Sequence, residues 1–235
     1  IQWDEDLSGP FAIIIINKLD KSVMLVTDLM SFIPVYSFKD NSRFLVGTHV
    51  DILADVSEQT RSIDVVSSVD FILHGHITFP YTFYNNIFQL KPASIHYFNA
   101  REKSIVTNSY WEPIETNQYS TIKDAADSLN REINNYVISI VNASPNIAQF
   151  ISGGEDSRVI SALLSKHSRD AYVFLDQMNR EGKFAQKAAK AYGADLYIGT
   201  RTKTHYIEIM PFCSNLVGSG SQYHHAHSYG FHKSF

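Results

Sequence analysis

Short apolar runs separated by turn residues dominate the first half of the chain, from Phe11 to about Tyr110. Their close spacing predicts β-hairpins and an antiparallel sheet. One segment instead has apolar residues at helical spacing, VVSSVDFIL from Val65 to Leu73, and predicts a short helix. The predicted strand segments are FAIIII, VMLVTD, PVYSF, FLVGT, IHYF and SIVTNSYW.

The second half has a different pattern. Between Trp111 and Tyr119 the composition changes to Pro, Thr, Asn and Gln, and we place a domain boundary there, between 1–112 and 113–235. Next comes a segment with the 3.6-residue period of an amphipathic helix and with Ser120 or Thr121 as its N-cap. Strand-like and helix-like segments then alternate, which predicts βαβ units and a parallel sheet. These segments are IAQFI, DSRVISALLSKH, AYVFLD, GKFAQKAAKAYG and ADLYIG. The expected fold class is therefore α+β followed by α/β.

Composition narrows the functional classes. The 235 residues are 44% hydrophobic and 19% charged, as in ordinary globular proteins, and the net charge is −4. Without a long basic run we expect neither nucleic acid nor an anionic membrane as a partner. The single cysteine excludes an intrachain disulfide and favours a reducing, cytoplasmic location. The chain begins with Ile1 and stops in a His- and Tyr-rich stretch, so we expect material to lie outside it at one end or both.

The stretch SGGEDS carries the most specific chemical signal. It follows a predicted strand, Ile147 to Ile151, and precedes a helix predicted from about Asp156. The free N–H groups at such a helix start bind anions, and adjacent glycines let the backbone approach a ligand closely. A carboxylate there is consistent with a divalent cation held between Asp156 and phosphate oxygens. The stretch therefore predicts a cradle for Mg-pyrophosphate; the alternative is a tight turn in which Asp156 only caps the helix.

This stretch resembles the pyrophosphate loop of the ATP-pyrophosphatase (PP-loop) superfamily, and the asparagine synthetase group fits best. Three further segments, 6–38, 71–98 and 181–195, resemble parts of that family's glutaminase and synthetase domains. The resemblance implies a partial β domain of the N-terminal-nucleophile type, followed by a parallel-sheet PP-loop ATP-pyrophosphatase domain that is incomplete at its C-terminus.

The resemblance also implies chemistry. ATP and a substrate carboxylate would form an acyl-adenylate with release of pyrophosphate, and an amine or ammonia would then displace AMP to give an amide. The expected cofactors are ATP and Mg²⁺, the expected partners are the carboxylate and amine substrates, and a homodimer is left open. By position, the pyrophosphate would be held by Ser152, Gly153, Gly154 and Ser157, the metal by Asp156, and the adenine would be flanked by the backbone of Phe150 and Phe174.

Several residues depart from the family pattern. The family's glutaminase uses an N-terminal cysteine, whereas Ile1 opens this chain and Cys213 lies far beyond the boundary, where we expect a small core residue. We therefore assign no glutaminase nucleophile: either its half-domain lies outside the chain or the domain has degenerated. Thr27, Met30 and Ser31 replace the family's Arg, a variable residue and Gly in one turn.

Other departures leave alternatives open. Arg158 stands where the family usually has Ser, and is either a phosphate or substrate contact or a solvated surface residue. A second acidic phosphate loop of the family would fall beyond Phe235. Two functions follow as alternatives: an AMP-forming carbon–nitrogen ligase, or a catalytically degenerate nucleotide-binding or scaffold protein that retains the fold.

Histidines provide a weaker signal. A group near the end of the chain could bind metal, line the acceptor-substrate side or be ordinary structural residues: His224, His225, His227 and His232. Its spacing fits no strong metal template. For His74 and His76, which flank Gly75, a structural role is expected.

Overall fold

A computed structural model describes residues 2–3, 7, 9–99, 101, 104–116, 118–144, 146–220 and 228–231. The chain divides into two compact units. The first comprises Ile1–Glu115 with Phe212–His225, and the second Thr116–Pro211 with Ala226–Phe235. Mixed α and β structure, with antiparallel sheets followed by a parallel sheet, confirms the predicted order of sheet types.

The first unit contains two antiparallel sheets, of strand order β1-β2-β6-β7 and β4-β3-β5. The predicted hairpins and the helix α2 are confirmed, whereas α1 and β5 were not predicted. The elements are β1 (Ala12–Asn17), β2 (Ser22–Thr27), β3 (Tyr36–Lys39), β4 (Phe44–Gly47), α1 (Val50–Val56), α2 (Val65–His74), β5 (Ile87–Gln89), β6 (Ser94–Asn99) and β7 (Ser104–Ser109).

Two hydrophobic clusters form the core of this unit. One joins Leu25 of β2 to Val35 and Leu90. The other packs α1 against the smaller sheet: Phe38, Val50, Leu53, Ala54 and Ile87. Alternation along the strands sends these side chains inwards, because successive residues of a strand point to opposite faces.

The turn after β2 is built around a buried carboxylate. Asp28, whose exposed fraction is 1%, accepts hydrogen bonds from the backbone N–H groups of Phe11, Met30, Phe32 and Ile33. This arrangement satisfies the turn's donors, which have no strand partner. The same turn holds Ser31 at a φ of +51°, the left-handed region that favours glycine. The backbone therefore keeps a glycine-like conformation although the sequence has a serine.

Replacing Ser31 with glycine is expected to stabilise the chain by about 1 kcal/mol, since a left-handed serine is strained. The side-chain hydroxyl is also buried and finds no hydrogen-bond partner among the described residues, a cost that the variant removes. Urea denaturation would measure the gain. As a control, Ser165→Gly changes an exposed turn residue that does not have a positive φ, and it should lower stability slightly. Equal effects of the two substitutions would contradict the explanation by strain.

The second unit begins with a long helix, whose N-cap Thr121 accepts a hydrogen bond from the backbone N–H of Asp124, as predicted. A three-stranded parallel sheet of order β10-β9-β8 follows, and the helices alternate with its strands. The boundary between the units falls within the last helix, after Pro211. The elements are α3 (Ile122–Ala143), β8 (Ala148–Phe150), α4 (Glu155–Leu163), β9 (Arg169–Leu175), α5 (Arg180–Ala191), β10 (Ala194–Thr200) and α6 (His205–Val217).

The core of the second unit lies between β9 and α5. Every second residue of β9 is buried, and the apolar ones among them meet a stripe of alanines on the helix. Small side chains on the helix allow it to lie close to the sheet, which fixes where its first turn lies. The cluster consists of Ile151, Ala171, Val173, Leu175, Ala185, Ala188 and Ala189.

Among the described residues, no helix combines the length and the apolar character that crossing a membrane would require.

Candidate functional site

The SGGEDS stretch connects β8 to α4 in the second unit, as predicted, with the helix beginning at Glu155. Its two serine hydroxyls hold the connection in shape. Ser157 Oγ accepts the Ser152 N–H at 3.0 Å, and Ser152 Oγ accepts the Gly154 N–H at 3.1 Å. The two hydroxyl oxygens lie 3.1 Å apart. The turn is therefore a defined loop and not an open linker.

The first turn of α4 has no side-chain cap. Its N-cap is Gly154, which has no side-chain oxygen, whereas Asp64, Thr121 and Asn179 cap α2, α3 and α5 with their side chains. The N–H groups at a helix start need an outside partner, so those of α4 are left for water or a ligand. The carboxylate of Asp156 is exposed in this turn and has no hydrogen-bond partner within the described part of the chain.

Gly153 brings the loop against the start of α5, whereas Gly154 lies against a side chain of the loop itself. A Cβ on Gly153 would lie 3.0 Å from Glu181 Cα, and one on Gly154 would lie 3.2 Å from Ser152 Oγ. Both distances are too short for a comfortable contact, which is a physical reason for glycine at these positions. The loop and the first turns of α4 and α5 thus line one cleft of about 460 Å³, formed by Gly153, Gly154, Arg158, Arg180, Glu181 and Phe184.

Arg158 lies in the wall of this cleft. Its Nε donates to the Gly154 carbonyl at 3.1 Å, and its guanidinium carbon is 6.0 Å from the centre of the Phe184 ring. An ion pair with the exposed Glu155 is long, at 3.7 Å. The structure thus places Arg158 beside the loop, where it can face a ligand bound in the cleft.

The predicted adenine-flanking residues lie at the carboxyl edge of the parallel sheet. The last pair of β8 and β9 is Phe150 with Tyr172, so Phe174 lies where β9 continues beyond the end of β8. The rings of Phe150 and Phe174 have centroids 5.7 Å apart, and the Phe150 side chain is largely exposed. In open parallel sheets, ligands bind at this edge.

Arg180, Glu181 and Phe184 were not predicted as site residues. A signal for them existed: in a parallel sheet, the N-termini of consecutive helices come to the same edge as the strand ends. Asn179 is the N-cap of α5 and Arg180 is the first residue of that helix. The sequence could therefore have placed Arg180 near the loop. Its distance from the loop, however, depends on how closely α5 packs.

The single cysteine is buried as expected. Cys213 is fully buried in α6, in the segment that belongs to the first unit and not, as predicted, to the second domain. Burial raises the pKa of the Cys213 thiol, which disfavours the reactive thiolate. The segment that begins at Phe212 is bound to the rest of the first unit by hydrogen bonds such as that from His49 Nε2 to the Asn215 carbonyl, at 2.7 Å. These residues are far apart in the chain, so no local sequence pattern predicts the contact.

The histidine predictions have different outcomes. The group near the end of the chain lies outside the described residues: His224, His225, His227 and His232. Within the described ranges, no cluster of three or more His, Cys, Asp or Glu side chains could hold a metal ion. His74 Nδ1 lies 2.7 Å from Asp70 Oδ1 at the end of α2, and His76 Nδ1 lies 3.1 Å from the His74 carbonyl. These contacts are consistent with the structural role expected for both residues.

Comparison with known proteins connects the fold to a family. Residues 2–111 match the model of the glutamine amidotransferase domain. Over 182 residues the chain is 20% identical to a putative glutamine-hydrolyzing asparagine synthetase of Methanocaldococcus jannaschii. That match covers 77% of this chain, and the chain spans about a third, 35%, of the relative. Both findings support a function related to glutamine amidotransferases. The two findings therefore support a relationship to asparagine synthetases and to the glutamine amidotransferase family, whose domain model matches residues 2–111.

Proposed function

We propose that the second unit is a PP-loop ATP-pyrophosphatase domain, and that the protein is an AMP-forming carbon–nitrogen ligase resembling asparagine synthetase. The observation that carries this proposal is the uncapped start of α4 within the SGGEDS stretch, at the carboxyl edge of a parallel sheet. Uncapped N–H donors and the helix dipole favour an anion at this position. The description of the relative as a putative asparagine synthetase agrees with this chemistry.

In the proposed reaction, an oxygen of the substrate carboxylate attacks the α-phosphorus of ATP, and the bond to pyrophosphate breaks. The nitrogen of ammonia or an amine then attacks the acyl carbon, the bond to AMP breaks, and the nitrogen loses a proton. Negative charge accumulates on the leaving pyrophosphate, where the donors of Ser152, Gly153 and Ser157 and the first turn of α4 would stabilise it. Asp156 would hold Mg²⁺, which offsets the same charge.

The residues present fit these groups. Asp156 is an exposed carboxylate on the uncapped turn, as a metal shared with phosphate oxygens requires. Gly153 and Gly154 leave no side chain between the loop backbone and a ligand. The rings of Phe150 and Phe174 provide an apolar edge beside which the adenine would lie. The acceptor carboxylate and the nitrogen donor are not specified by these contacts.

Titration of Mg-ATP into the full chain tests the proposal. Calorimetry should detect binding that needs Mg²⁺, and Asp156→Ala should weaken it about tenfold, equivalent to about 1.4 kcal/mol. The matched control is Asp127→Ala, which removes an exposed carboxylate from α3 and should leave the affinity unchanged.

Three other outcomes are informative. A folded wild type that does not bind Mg-ATP, or an Asp156→Ala variant that binds it equally well, would refute the ligase. Mg-ATP binding without exchange of labelled pyrophosphate into ATP, over a panel of carboxylates, would instead favour the degenerate nucleotide-binding protein.

A further inference from the structure

Three cations surround one aromatic ring beside the loop. The side-chain charges of Arg158, Arg180 and Lys187 lie 6.0, 5.4 and 6.0 Å from the centre of the Phe184 ring. The whole chain carries a net charge of −4, whereas this group of side chains is positively charged. The half-buried Phe184 ring attracts each cation and holds the aliphatic part of its side chain in place, but the ring does not neutralise the positive charge.

The charge of this group is poorly compensated. Within the described part of the chain, Arg180 has no ion pair, and the only acidic residue in the cleft wall is Glu181. The Glu155 partner of Arg158 is 91% exposed in its side chain and 3.7 Å away, so water screens that pair. Two arginines and one glutamate leave the cleft wall with an excess of one positive charge before Lys187 is counted.

The geometry of the two arginines suits an oxyanion with several oxygens. Arg158 donates its Nε to the Gly154 carbonyl, which ties it to the loop and leaves its terminal nitrogens for other partners. Arg180 is the first residue of α5, on the opposite wall of the same cleft. A guanidinium presents two parallel N–H donors, the arrangement that phosphate oxygens accept best.

We propose that Arg158 and Arg180 form an anion subsite that takes the pyrophosphate group on the α5 side of the loop. The proposal rests on the proposed function, since adenylation supplies the pyrophosphate. It assigns to Arg158, which replaces the usual serine, a direct contact with the leaving group. It gives Arg180, which sequence reasoning missed, the same role from the second helix. Pyrophosphate is favoured over a carboxylate because the loop itself forms one wall of the cleft, and because pyrophosphate has oxygens enough for both arginines.

Calorimetric titration of inorganic pyrophosphate, without ATP and with Mg²⁺ present or absent, tests the subsite. Arg180→Gln should weaken pyrophosphate binding about tenfold, and Arg158→Gln by a similar factor, since each removes a charge-assisted hydrogen bond. The matched control Lys190→Gln removes a positive charge from the last turn of the same helix and should leave the affinity unchanged. Inorganic phosphate and succinate serve as competing probes in the same assay.

The outcomes separate this subsite from the proposed function. Pyrophosphate binding that depends on both arginines but not on Lys190 supports the subsite, even if Mg-ATP fails to bind and the ligase is refuted. Three results would overturn the subsite: no pyrophosphate binding by the folded wild type, equal effects of Arg180→Gln and Lys190→Gln, or arginine-dependent binding of succinate that exceeds that of pyrophosphate. Circular dichroism of each variant confirms that it is folded.

Discussion

Replacing Arg169 with methionine is expected to lower the free energy of unfolding of the second unit by about 4 kcal/mol, the largest change that we predict. Arg169 is the first residue of β9, and its exposed fraction is 3%. Burial lowers the pKa of the Arg169 guanidinium, but arginine stays charged at any pH at which the protein folds. A buried cation of this kind is stable only if all its donors find acceptors.

Arg169 finds these acceptors at the ends of two helices. Its terminal nitrogens donate to four backbone carbonyls, three near the end of α4 and one at the C-cap of α5, and its Nε donates to Gln149 Oε1 at 3.0 Å. The carbonyl acceptors are Ser161, Leu164, His167 and Tyr192, at 2.9 to 3.2 Å. Carbonyls at a helix end carry partial negative charge, so the cation both satisfies them and binds the two helices to the sheet. Methionine fills similar space but leaves these carbonyls without donors.

Urea denaturation followed by circular dichroism measures the loss. Arg131→Met is the matched control, because Arg131 lies on α3 with an exposed side chain and a long contact of 3.4 Å to Glu132, so little change is expected. Arg169→Lys separates charge from geometry: lysine keeps the charge but cannot reach the ends of both helices at once, so it should recover only part of the loss. Equal stability of the Arg169 and Arg131 variants would show that the network contributes nothing.

The sequence predicts the regular elements well because their signals are local. Strand and helix periods recur within a few residues, and the α3 cap at Thr121 and the loop before α4 follow from adjacent residue types. The same locality explains why SGGEDS could be placed between a strand and a helix. The helix α1 was missed because its seven residues, VDILADV, are too few to establish a helical period.

The remaining features depend on residues that are distant in the chain. Arg169 precedes the predicted strand AYVFLD, and nothing near it indicates that carbonyls of two helices will surround it. Arg180 approaches the loop only because Gly153 and the alanines of α5 let the backbones come close. The arrangement of the cleft therefore follows from packing between elements, which a linear pattern does not contain. Residue types could be identified from the sequence, but their spatial grouping could not.

Replacing Asp28 with asparagine is expected to lower the free energy of unfolding by about 3 kcal/mol, although the two side chains have the same shape. Each carboxylate oxygen of Asp28 accepts two backbone N–H groups: Oδ1 those of Met30 and Phe32, and Oδ2 those of Phe11 and Ile33. An amide offers one acceptor oxygen, so in either orientation its NH₂ group must face two N–H donors. Because Asp28 is buried, water cannot replace the lost acceptor.

Asp40→Asn is the matched control for Asp28→Asn. Asp40 also accepts backbone N–H groups, those of Ser42 and Arg43, which hold the pKa of its carboxyl well below the usual range. Its turn is open to solvent, so water can take the place of the lost oxygen and the effect should be much smaller. Urea midpoints for both variants, measured at neutral pH, decide the point. If the two substitutions lower the free energy of unfolding equally, burial does not make the loss of the Asp28 carboxylate more destabilising. The number of hydrogen bonds would then account for its role.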